Sequence, residues 1–71
     1  MGADECEVRK EKKNNNNVVT WETEYRYMES TFIDEVIYVY DNDGNLLEKR
    51  CACNEKEAEK IFDQLVAKWS D

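Results

Sequence analysis

The chain has 71 residues and carries 10 Lys+Arg against 17 Asp+Glu, a formal charge of −7. That length holds one small domain, residues 1–71, and that charge argues against direct nucleic-acid binding, where cations must neutralise phosphates. There is no His at all, which excludes Ser-His-Asp and Cys-His catalysis and His-ligated metals.

No apolar run approaches the ~18 residues of a membrane span. Residues 1–5 do not read as a secretory leader, and three Cys is an odd number. Free thiols in a reducing, cytoplasmic setting are expected. Two Gly, no Pro and eight aromatic residues speak for a folded chain and against a linker.

Residues 1–4 are expected to be flexible. Residues 5–13 predict a first strand, weakly apolar at Cys6 and Val8 and Lys-rich at its end, as suits a protected edge. Four consecutive Asn, residues 14–17, read as a hairpin loop, because Asn accepts turn backbone and bonds locally. Residues 18–29 predict a second strand, dense in strand-favouring Val18, Val19, Thr20, Trp21, Thr23, Tyr25 and Tyr27. A turn at residues 29–31 leads to a third strand over residues 32–40.

Asp41-Asn42-Asp43-Gly44-Asn45 gives the sharpest local signal, a type I turn followed by Gly in the left-handed region. An EF-hand frame with Gly44 sixth puts Val39 first and Arg50 twelfth, where carboxylates are required, so the hairpin turn is preferred. Pairing Asp41 with Asn45 sets Val39 opposite Leu47, Ile37 opposite Lys49, Glu35 opposite Cys51 and Ile33 opposite Cys53. One face then collects Ile33, Ile37, Val39, Leu47, Cys51 and Cys53. The other collects Val36, Tyr38, Tyr40, Leu46, Glu48 and Arg50. A slip of one residue would mix the two sets.

After a fourth strand over residues 46–53, Asn54 and Glu57 stand three apart as a capping box. Ala58, Ile61, Phe62, Leu65, Val66 and Trp69 follow at helical spacing. The expected fold class is α+β: a four-stranded antiparallel sheet with one C-terminal helix packed on one face, β-β-β-β-α in two layers. Phe62 and Trp69 are expected to pack on Trp21, Ile37 and Val39.

The strand register points Cys51 and Cys53 at the helix, where buried thiols pack as small hydrophobes. No metal, cofactor or catalytic residue is expected. A structural zinc site wants four ligands, and a shifted carboxyl needs a cleft that so small a domain has little volume to form. The binding candidates lie on the sheet face away from the helix. Glu22, Glu24, Asp41, Asp43 and Glu48 supply charge there, and Tyr38 and Tyr40 supply contact area of the kind enriched at interface hot spots.

The stretch Ile37-Tyr38-Val39-Tyr40-Asp41-Asn42-Asp43-Gly44-Asn45, a strand, and a helix from Asn54 resemble the strand-turn-strand-helix half of a double-stranded-RNA-binding domain. That family opens its helix with phosphate-gripping lysines, whereas here residues 54–60 read Asn-Glu-Lys-Glu-Ala-Glu-Lys. The same half also resembles the small acidic phage-encoded anti-CRISPR inhibitors of Cas effectors. The resemblance rests on the Asn42-Asp43-Gly44-Asn45 turn, Phe62 and the late Trp69. Charge separates the two families, and −7 favours the inhibitors. That resemblance implies a DNA mimic whose partner is a protein with a basic surface. The alternative is an interaction module that forms a homodimer through its open sheet or edge strand.

Overall fold

The computed structural model describes the backbone of residues 5–27 and 31–70, and the side chains of residues 6–25 and 33–70. Its elements are β1 (Glu5–Lys13), β2 (Asn17–Tyr27), β3 (Thr31–Asp41), β4 (Leu46–Ala52) and α1 (Glu55–Lys68). The strands form one antiparallel sheet in the order β1-β2-β3-β4. The expected β-β-β-β-α architecture is therefore present. Residues 1–4, 28–30 and 71 fall outside the described residues, and with them the first two positions of the turn expected at 29–31.

β2 and β3 pair without interruption from Asn17↔Asp41 to Tyr27↔Thr31, so their alternation fixes two faces. Odd-numbered Val19, Trp21, Ile37 and Val39 face α1 and form the core with Ala58, Phe62 and Leu65. Ala52, Ile61, Val66 and Trp69 pack around it. The helical spacing had pointed to this set.

Both ends of α1 are tied down. Asn54 Oδ1 accepts from the backbone N–H of Glu57 at 2.8 Å, which opens the helix. At the other end the Trp69 carbonyl is one of the acceptors a helix leaves without an internal donor. It accepts from Asn17 Nδ2 at 2.7 Å and from Asn14 Nδ2 at 3.3 Å. The asparagine run thus closes a hairpin and also caps the helix, and Asn17 is only 3% exposed.

A bulge in β1 lies between Val8, opposite Glu22, and Lys10, opposite Trp21. Two consecutive cations can therefore reach the helix. Arg9 pairs with Glu55 and lies 5.9 Å from the Trp21 ring centre. Lys10 lies 3.7 Å from Glu59 and 5.9 Å from the Phe62 ring centre. Exposed pairs of this kind contribute little by themselves, but the aliphatic stems cover aromatic edges.

The register of β4 departs from expectation by one residue. Tyr40 pairs with Leu46 as the turn requires, but Val39 then pairs with Glu48, leaving Leu47 as the extra residue of a bulge. Beyond it Ile37 faces Arg50, Val36 faces Cys51 and Glu35 faces Ala52. Leu47 is consequently 42% exposed instead of buried in the core. Cys51 moves to the open face and Cys53 lies past the strand end, and both thiols are exposed, contrary to the expected burial. Glu48 and Arg50 turn to the helix side. Ile33 keeps the expected face, but β4 ends opposite Glu35, so Ile33 projects past the covered part of the sheet at 58% exposure.

Candidate protein-docking face

Even-numbered residues of β2 and β3 point away from α1. Across the strands, Val8, Glu22, Val36 and Cys51 lie on one rung, and Cys6 stands opposite Glu24 on the next. Tyr38 pairs with Thr20 and Lys49, and Tyr40 with Val18 and Leu46. One face therefore gathers carboxylates, two phenol rings and apolar residues.

Hydrogen bonds fix the rotamers. Cys6 Sγ donates to Glu22 Oε1 at 2.7 Å, and Thr20 Oγ1 donates to Glu22 Oε2 at 3.2 Å. Both donors are neutral, so they orient the Glu22 carboxylate without cancelling its charge. The Tyr38 hydroxyl donates to Glu24. Glu24 stands two rungs beyond Glu22's neighbour Thr20, so the Tyr38 ring must lie along the sheet across the Val36 rung. That placement explains why Val36, on a face with no second layer, is only 2% exposed. Tyr40 stacks on Tyr38 with ring centres 5.8 Å apart and planes at 24°.

The electrostatics follow from this packing. The hydrogen bond to Glu22, then burial, then the charges of Glu22 and Glu24, push the Cys6 thiol up to about 11. Burial first, then the bond to Glu24 and the Glu24 and Glu22 charges, raise Tyr38 above the usual phenol range. Tyr40 is raised by burial and by the same two carboxylates. Cys6 and both tyrosines thus stay neutral at pH 7 beside two acidic side chains.

Of the seven candidate residues, four come together here: Glu22, Glu24, Tyr38 and Tyr40. Glu48 does not, because the β4 bulge turns it to the helix side. There it accepts from Lys68 Nζ at 2.8 Å, Trp69 Nε1 at 2.9 Å and Arg50 Nε at 2.7 Å. These donors pull its carboxyl down to about 2. Asp41 turns its carboxylate into the β3–β4 loop, accepting from the Asp43 and Asn45 backbone N–H groups at 2.9 Å each. The Asn45 bonds foremost hold its carboxyl below the usual range. Asp43 is exposed at the tip of that loop. Sequence reasoning missed Cys6 and Thr20 as the groups that orient Glu22. Their even spacing with Glu22 and Glu24 would signal them only once the β1 register was known.

Cys6 Sγ and one oxygen each of Glu22 and Glu24 lie within 4.8 Å of one another. Within this cluster the thiol donates to Glu22 and keeps its proton. Cys51 cannot add a second thiol to this cluster. β1 and β4 are the opposite edges of the sheet, about 14 Å apart at ~4.8 Å per strand. A groove of about 520 Å³ runs beside Asn54, Lys56, Glu57, Lys60, Ile61 and Gln64 on α1, away from the carboxylate and tyrosine face. Comparison with family models, curated proteins and solved structures finds no match. Among the described residues no helix is long and apolar enough to cross a membrane.

Proposed function

We propose that the chain is a small acidic binding protein that acts without catalysis, in the cytoplasm. Its open sheet face docks on the basic surface of a nucleic-acid-handling protein, with carboxylates standing where phosphates would sit. The observation that carries this reading is the juxtaposition of Glu22 and Glu24 with the stacked, partly exposed Tyr38 and Tyr40 on a face that the helix leaves uncovered. The net charge of −7 supports it from the scale of the whole chain. The resemblance of the C-terminal half to phage anti-CRISPR inhibitors makes a Cas effector the first partner to try.

Competition with DNA tests mimicry directly. The chain is immobilised, exposed to cell lysate, and washed with duplex DNA at fixed salt. Mimicry predicts retained proteins that duplex DNA releases and that a Glu22→Gln/Glu24→Gln variant fails to retain. Retention that ignores both DNA and the substitutions contradicts it.

A second reading has its own observation. Leu46 and Leu47 are exposed at 51% and 42% on the edge strand β4, a composition that favours pairing with a second copy. Sedimentation at rising concentration separates the two, because apolar strand pairing resists salt and a charge-mimicking contact does not.

A further inference from the structure

The open face already carries a cation of its own. Lys49, on the edge strand β4, holds its Nζ 5.8 Å from the centre of the Tyr38 ring. Tyr40 extends that ring into a stacked pair, and Glu22 stands one rung along on the adjacent strand, oriented by Cys6 and Thr20. An aromatic face beside an oriented carboxylate suits a planar guanidinium better than an ammonium. Guanidinium is less hydrated, stacks on rings and takes a carboxylate through two parallel N–H groups. Lysine is a compact, strongly hydrated charge that gains less from the same seat.

We propose that Tyr38, Tyr40 and Glu22 form a seat for an arginine side chain of the basic partner, and that Lys49, which covers the Tyr38 ring of this seat, is displaced when the arginine enters. This inference rests on the reading of the open face as a docking surface for a basic protein. It adds which basic residue the face selects, and it makes Lys49 a competitor built into the binding surface. Lys49 is exposed and lies over the Tyr38 ring on the face away from the helix, so its removal leaves the core untouched.

The test is calorimetric titration of the full chain with two nine-residue peptides of equal charge, one carrying arginines and the other lysines at the same positions. The arginine peptide is expected to bind about tenfold tighter, the range that ring stacking of a desolvated cation supplies. Lys49→Gln should tighten the arginine peptide several-fold. Lys56→Gln on the helix makes the same change in net charge away from the face, and it should leave the affinity near wild type. Tyr40→Leu should abolish the preference for arginine, with melting curves checking that the fold is kept. If that variant fails to fold, the Lys49 and Lys56 pair decides. Equal binding of both peptides, weakened by Glu22→Gln, overturns the arginine seat and leaves the basic-partner reading standing. An equal gain from Lys49→Gln and Lys56→Gln overturns the role of Lys49. No binding of either peptide overturns the seat and the docking face together.

Discussion

Single carboxylates of this chain do different work according to the face on which they land. Glu48 meets Lys68, Trp69 and Arg50, and its carboxyl lies at about 2 against an ordinary 4.5. A depressed carboxyl contributes stability that is fully present above its unfolded value and is lost as pH falls through the folded one. The Glu48 contribution is therefore whole above pH 4.5 and fades between 4.5 and about 2. Urea midpoints of wild type and Glu48→Gln should differ at pH 7 and converge toward pH 2. A gap that stays constant with pH would show that Glu48 is not the ion-paired group described. Cys6 shifts the other way. At about 11 it remains a thiol at pH 8, although its side chain is exposed, because Glu22 accepts its hydrogen bond. Iodoacetamide at pH 8, read by mass spectrometry of digests, should modify Cys6 several-fold faster in a Glu22→Gln variant than in wild type, since the thiolate is the nucleophile. Equal labelling rates of Cys6 in the two proteins would contradict its bond to Glu22.

Strands and helix differ in how openly their sequences state their placement. The start, apolar period and partners of the helix were legible: its cap at Asn54 and its packing on Trp21, Ile37 and Val39 match the observed core, whereas its C-terminal cap by Asn14 and Asn17 was not foreseen. β1 was legible in extent but not in its bulge, because an unpaired residue in a charged edge strand leaves no apolar mark. β4 was the failure. The turn Asp41–Asn45 was read correctly, with Asp41 N–H donating to the Asn45 carbonyl at 2.9 Å and Gly44 at φ 87°. Leu46 and Leu47 are both apolar, so alternation could not say which one the bulge would expel. The lost residue moved Glu48 and Cys51 to opposite faces from those expected. The core itself makes a plain prediction. Phe62 is 7% exposed between Ala58, Leu65 and the sheet. Truncation to Ala should cost roughly 3–5 kcal/mol, most of what so small a domain has. A Phe62→Ala protein that melts with wild type would contradict the helix face.

At the scale of the molecule, one layer of helix covers one side of a four-stranded sheet, and the principal extents of 42 × 26 × 15 Å describe a slab. A slab of this kind has two working surfaces, the outer side of the helix and the bare side of the sheet. The bare side carries the feature that a solvated sheet does not need: two stacked tyrosines, of which Tyr38 lies over a buried Val36 and is held by a carboxylate whose neighbour is oriented by a thiol. Half of that site was visible in the alternation of β2 and β3. The rest depended on β1 and β4, whose registers are set by bulges. The central claim is that this bare side, and not the helix, meets the partner. Methyl-labelled protein titrated with a basic partner protein tests it most directly, because methyl signals report one face at a time. The signals of Val8, Val18, Val36 and Leu46 should move, with those of Ile61 and Val66 unchanged; shifts confined to Ile61 and Val66 would contradict the claim.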